Sequence, residues 1–215
     1  MNGIYGAWRA RVQRGVMIFL ALALLAMPAL ADRKPTVLVF GDSLSAGYGL
    51  AVNQGWVALT AQRMLRTHPT WRVVNASISG ETTAGGAARI AAELARTHPS
   101  VVVIELGAND GLRGLDPAQT RANLDRMIRN AKSAKAKVLL IGMRMPPNFG
   151  LQYTSAFEQN YALLAKRHGT AFVPFLLAPI MADRNAFQED NMHPVARVQG
   201  KLRDHVWVAL APLLK

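Results

Sequence analysis

The chain predicts an α/β protein: a three-layer α/β/α sandwich on a central parallel sheet of about five strands. After residue 31, short apolar runs alternate with longer stretches of helical periodicity, and little else lies between them. Such alternation implies parallel strands joined by right-handed helical crossovers. A small internal echo agrees with it. Arg66-Thr67-His68-Pro69 returns as Arg96-Thr97-His98-Pro99 thirty residues later, and that interval is the size of one βα unit.

Thr36-Val37-Leu38-Val39-Phe40, bounded by Pro35 and Gly41, has the unbroken apolar pattern of a strand buried on both faces. Residues 54–66 read as a helix, 71–75 as a second strand and 82–96 as an Ala-rich helix. Val101-Val102-Val103-Ile104 is β-branched throughout, which suits a packed strand. A helix over 117–131 follows, with Pro117 at a favoured first-turn position. Residues 137–142 are a fourth strand, 155–168 a helix and 171–173 a brief fifth strand. Residues 194–213 are expected to close the chain as a helix. The two Arg-Thr-His-Pro segments are connectors in which proline stops the helix.

Residues 1–31 have the pattern of a cleaved signal peptide. Arg9, Arg11 and Arg14 precede an apolar run over 16–26, and Pro28 leads into Ala29-Leu30-Ala31, a small-x-small cleavage site. The alternative is an uncleaved anchor, but the run is short of the roughly 20 residues that a span needs. The mature chain would be a single domain over 32–215, beginning at Asp32 and destined for the periplasm or beyond. That length buries a substantial core without staples. The chain has no cysteine, so thiol catalysis and zinc–thiolate sites are excluded. Its formal charge of +12 falls to +9 without the three leader arginines. The surplus favours solubility and transient contact with anionic membrane surfaces. Nucleic acid is not expected, because no Lys/Arg cluster with interleaved aromatics occurs.

Sites in parallel α/β sheets form at the carboxyl ends of strands, in the loops that lead into helices. Ser43 lies just past the first strand, in Gly41-Asp42-Ser43-Leu44-Ser45-Ala46-Gly47. Taken alone it reads more readily as a helix N-cap, and no Gly-x-Ser-x-Gly elbow occurs in the chain. The next two strands run into Ser77-Ile78-Ser79-Gly80 and Gly107-Ala108-Asn109-Asp110. A backbone N–H at Gly80 and an amide at Asn109 are the donor types that stabilise an oxyanion. Singly, each is an ordinary turn residue; together they fall on one rim of the sheet.

Five histidines are present. His68 and His98 belong to the connectors, His168 ends a helix beside Gly169, and His205 falls on the closing helix with Asp204 facing elsewhere. His193 alone combines a loop position with a carboxylate three residues upstream, Asp190. In a tight turn that spacing can bring the Asp190 carboxylate to Nδ1 while Nε2 points at the serine. The set supplies a nucleophile, a base and a group that orients the base. Glu189, Asp190 and His193 could instead ligate a metal, but no second cluster completes such a site.

Gly41-Asp42-Ser43-Leu44, Gly80, Asn109 and Asp190-x-x-His193 resemble the four blocks of the GDSL, or SGNH, hydrolases, in order and over nearly the whole mature chain. Val73 to Gly80 and Glu105 to Gly114 are similar to the bacterial periplasmic thioesterase/lysophospholipase/arylesterase subgroup. The resemblance implies a flavodoxin-like fold and catalysis by Ser43, His193 and Asp190. It implies an oxyanion hole from Ser43 N–H, Gly80 N–H and the Asn109 amide. Gly111, Leu112, Arg113 and Gly114, with Met145, Pro146 and Pro147, look like the acyl-pocket wall. Met145 stands where a leucine is expected, which makes that wall more adaptable.

The implied function is a serine esterase that cleaves ester or thioester bonds of lipophilic substrates, lysophospholipids included. It needs no cofactor or metal and works most simply as a monomer. Two alternatives stay open: a carbohydrate O-deacetylase of the same fold, and a non-catalytic acyl- or lipid-binding protein. With only four tryptophans, one of them in the leader, aromatic sugar platforms are scarce.

Overall fold

The computed structural model describes residues 34–215, so the signal peptide expected over 1–31 lies outside the described residues. Five parallel strands form one sheet in the order β2-β1-β3-β4-β5. They are β1 (Thr36–Gly41), β2 (Arg72–Asn75), β3 (Val101–Glu105), β4 (Lys137–Ile141) and β5 (Ala171–Val173). Every residue of β1 and β3 is buried, as expected of strands covered on both faces. Edge strand β2 is exposed at both ends.

The principal helices are α1 (Ser43–Ala46), α2 (Trp56–Thr67), α3 (Thr83–Thr97), α4 (Ala108–Leu112), α5 (Pro117–Ser133), α6 (Leu151–His168) and α7 (Gln199–Leu210). Helices α3, α5 and α6 pack side by side on one face, and α2 pairs with α7 on the other. This is the three-layer sandwich that the sequence predicts. Among the described residues, no helix is long and apolar enough to cross a membrane.

Three differences from the sequence expectation have clear causes. The loops after β1 and β3 contain the one-turn helices α1 and α4, too short to leave a periodic signal. Helix α6 starts four residues early because Gly150, at φ +85°, turns the chain directly into it. The closing helix does not begin at Pro194. Pro194 pairs with Phe187 in an antiparallel bridge, and Val195 is extended. A 3₁₀ turn over Ala196–Val198 then leads into α7. Pro212, which lacks an N–H, falls in a second 3₁₀ turn where the helix ends.

The strand order sets the position of the site. Strand β1 lies between β2 and β3, so the crossover connections diverge there, and a crevice opens at the carboxyl ends of β1 and β3. The loops carrying Ser43 and Asn109 leave these two strands.

Candidate active site

Ser43 does not cap its helix. Asp42 does, its Oδ1 accepting the Leu44 N–H at 3.1 Å. The Ser43 hydroxyl is thereby free to face outward, and it meets His193 Nε2 at 2.8 Å. His193 Nδ1 lies 2.6 Å from Asp190 Oδ2. The other Asp190 oxygen accepts the backbone N–H groups of Met192 and His193, each at 2.9 Å. The carboxylate and the imidazole thus form one unit, brought to a serine 150 positions away. Partial burial pushes the Asp190 carboxyl up, but the hydrogen bonds from His193 and Met192 outweigh it and hold the group at about 2.

Asn109 Nδ2 donates to the Glu81 carbonyl at 3.0 Å and to Asp42 Oδ2 at 3.3 Å. Gly80, at φ +80°, precedes Glu81. The N–H groups of Ser43 and Gly80 donate to no protein acceptor among the described residues. Gly107 turns β3 into α4 at φ +124°, and a Cβ there would stand 2.1 Å from the Tyr161 hydroxyl. Only glycine fits that turn.

Two buried carboxyls lie close to the Ser43 turn. Burial raises Asp42 to about 6, against opposing bonds from Leu44 and Asn109 and the His193 charge. Glu105, at 1% exposure, is pushed well above the usual carboxylate range by burial and by Asp42. It meets the Ser45 hydroxyl at 2.6 Å and accepts the Asp42 backbone N–H. A Cβ at Gly41 would stand 2.8 Å from the Glu105 carbonyl and from the Ser45 hydroxyl, and 2.9 Å from Glu105 Oε2.

Ser43, Asn109 and His193 open onto a cavity of about 610 Å³. Of the pocket residues expected from the sequence, Leu112, Met145, Pro146 and Pro147 line it. Gly111, Arg113 and Gly114 do not. Gly111 lies behind Met145, where a Cβ would come within 2.1 Å of the sulfur. Arg113 reaches toward Gly80 instead and donates to its carbonyl at 3.2 Å. Sequence reasoning missed Met143, Phe175, Leu177, Met181, Phe187 and Met192, which complete an apolar wall. Their one signal is the apolar run Phe175-Leu176-Leu177-Ala178 after β5, which has no periodicity of its own.

The other histidines serve elsewhere. His168 Nε2 meets Asp125 at 2.7 Å, and His205 Nε2 lies 3.0 Å from the Phe175 carbonyl. Among the described residues, no three His, Cys, Asp or Glu side chains gather as a metal site would require.

The profile of the GDSL-like lipase/acylhydrolase family matches residues 39–199. The chain belongs to this family. Esterase TesA of Pseudomonas aeruginosa is 49% identical over 195 residues, covering 91% of this chain and 96% of that protein. Thioesterase 1/protease 1/lysophospholipase L1 of Escherichia coli K12 is 39% identical over 196 residues, covering 91% and 92%. The crystal structure of TesA superposes with a TM-score of 0.80 at 49% identity, covering 83% of this chain and 99% of that one. This GDSL-like chain therefore shares fold and length with its relatives.

Proposed function

We propose that this GDSL-like hydrolase is a serine esterase acting on ester and thioester bonds of lipophilic acyl substrates, aryl esters and lysophospholipids among them. The observation that carries the reading is the unbroken line from Asp190 through His193 to Ser43, at 2.6 and 2.8 Å, at the mouth of an apolar cavity.

In the proposed reaction His193 Nε2 takes the Ser43 proton as Oγ bonds to the acyl carbon. The carbonyl π pair moves to oxygen. That oxygen is received by the N–H groups of Ser43 and Gly80 and by the Asn109 amide, which exchanges its longer bond to Asp42 for it. The C–O or C–S bond then breaks, and the leaving group takes the proton from His193. Water, deprotonated by His193, attacks the acyl-enzyme, and the acid leaves as Ser43 regains its proton. Asp190, ionised at any working pH, fixes the imidazole orientation and stabilises the imidazolium. No step calls for a metal or cofactor.

The cavity wall favours an acyl chain over a sugar, because its lining is methionine, leucine, phenylalanine and proline with few polar groups. We infer further that residues 1–31 direct export to the periplasm or beyond. The positive surplus of the chain supports passing contact with anionic lipid.

The test is hydrolysis of p-nitrophenyl esters from acetate to palmitate by residues 32–215, with Ser43→Ala in parallel. Serine-dependent turnover that favours medium or longer chains supports the reading. Activity confined to acetate turns it toward a deacetylase, and neither turnover nor fluorophosphonate labelling of Ser43 overturns it. Amino-terminal sequencing of the exported protein tests cleavage before Asp32.

A further inference from the structure

The Asp190–His193 unit is held together by bonds within its own loop, and none of these sets its distance from Ser43. Gln188 N–H donates to the His193 carbonyl at 2.7 Å, Asn191 N–H to the Gln188 carbonyl at 2.9 Å, and Val195 N–H to Ala186 at 2.9 Å. The serine sits on a different segment, after β1. Among the described residues, two glutamine side chains join the segments by hydrogen bonds, beside the serine–histidine bond and the packing of the Tyr48 ring on His193.

Both converge on the carbonyl of Pro194, the residue after the histidine. Gln188 Nε2 reaches it at 3.3 Å and donates also to the Tyr48 carbonyl, at 2.9 Å, five residues past the serine. Gln199 Nε2 reaches it at 3.1 Å, while its Oε1 accepts the Trp56 N–H at 2.9 Å. Trp56 is the first residue of α2, so that N–H has no partner within its own helix. Each glutamine therefore bridges the histidine loop to the stretch that runs from the end of β1 to the first residue of α2. The proline carbonyl has two lone pairs, one for each amide. Other features fit this brace. Gly49 has no side chain where Gln188 crosses, since a Cβ would lie 2.2 Å from its Oε1. The Tyr48 ring lies against the His193 ring, centroids 4.5 Å apart.

We propose that Gln188 and Gln199 are positioning residues that set the separation of Ser43 and His193, by tying the Pro194 carbonyl to Tyr48 on one side and Trp56 on the other. Neither touches the reacting atoms. Proton transfer needs the base within hydrogen-bond reach of the hydroxyl, and a shift of about 1 Å in a catalytic group can cost ~10²-fold in rate. A histidine carried on a loop needs such an external reference. The proposal rests on the serine–histidine chemistry above, and its test separates the two.

The test uses Gln188→Met, which keeps length and removes the donor at a half-buried position, and Gln199→Met in the core. With a p-nitrophenyl ester, each should lower kcat by about tenfold or more and leave KM within about twofold, the signature of a lost transition-state interaction. The melting temperature of Gln188→Met should stay near that of the parent. Ser43 labelling by a fluorophosphonate should slow in step with kcat. In a His193→Ala background, Gln188→Met should change the residual rate no further, because the brace acts through the histidine. A fall in kcat/KM through KM, or an equal loss in the His193→Ala background, would overturn the proposal. An unchanged Gln188→Met would also overturn it, and that variant decides alone if Gln199→Met does not fold. An inert parent chain would instead fail the esterase reading.

Discussion

Asn109 Nδ2 lies 3.3 Å from Asp42 Oδ2, and Asp42 is also the cap of the turn that carries Ser43. One buried carboxyl therefore holds both the Ser43 turn and the Asn109 amide, and this has a cost. Burial lifts Asp42 to about 6, so the folded chain binds that proton more tightly than the unfolded chain does. By linkage, stability falls as pH rises from about 4 to about 6, and the loss persists above that range.

Asp42→Asn removes this penalty. Its melting temperature should exceed that of the parent at pH 8, and the difference should shrink or reverse at pH 4. The same change sets one amide donor against another at Asn109, and kcat should fall by roughly 10–10². A variant less stable than the parent at pH 8 would contradict the burial argument.

Asn109→Ala should lose about 10²–10³ in kcat, the usual consequence of removing one oxyanion donor. KM should change far less, because the substrate carbonyl gains charge only on the way to the tetrahedral state. Ser43→Ala should abolish turnover. Initial rates on one ester check both, and an Asn109→Ala variant at full speed would remove that side chain from the oxyanion hole.

Gly111 backs the cavity wall through Met145. In Gly111→Ala the new methyl would meet the Met145 sulfur at 2.1 Å, and the flexible thioether would move into the pocket. The preferred p-nitrophenyl ester should become shorter by several carbons with little loss on the shortest. Met145→Ala should shift the preference the other way. No change in chain-length profile for either variant would place the acyl chain elsewhere.

Burial and the neighbouring Asp42 push Glu105 well above the usual carboxylate range, which favours its neutral form. Glutamine is the neutral isostere here: its Oε1 accepts the Asp42 N–H, and its Nε2 donates to the Ser45 oxygen in place of the bond that the Ser45 hydroxyl donates to Glu105. Glu105→Gln should stay near the parent in activity at pH 7. It should be the more stable protein at high pH, where forcing a charge onto Glu105 lowers stability. Glu105→Ala leaves two polar groups unpaired and should cost about 2–5 kcal/mol of folding stability. Denaturant melts at pH 7 and 10 check the pair, and Glu105→Gln as unstable as Glu105→Ala would refute the neutral-acid reading.

The sequence by itself determined the layers and the chemistry. Strands β1 and β3 were legible because burial on both faces leaves an unbroken apolar run, as in Val101 to Ile104. Ser43 and Asn109 were legible because each sits just past a strand, and His193 because Asp190 stands three residues upstream of it in a loop. Tertiary structure alone decided how these loops meet. That Asp42 rather than Ser43 caps α1, that Gly111 and Arg113 stand off the pocket, and that Phe175, Met181 and Phe187 line it have no periodic trace. The same holds for Gln188 and Gln199, whose partners Tyr48 and Trp56 lie 140 and 143 positions away. Periodicity records which face of an element is buried, whereas contacts between loops depend on where the sheet order brings their ends together.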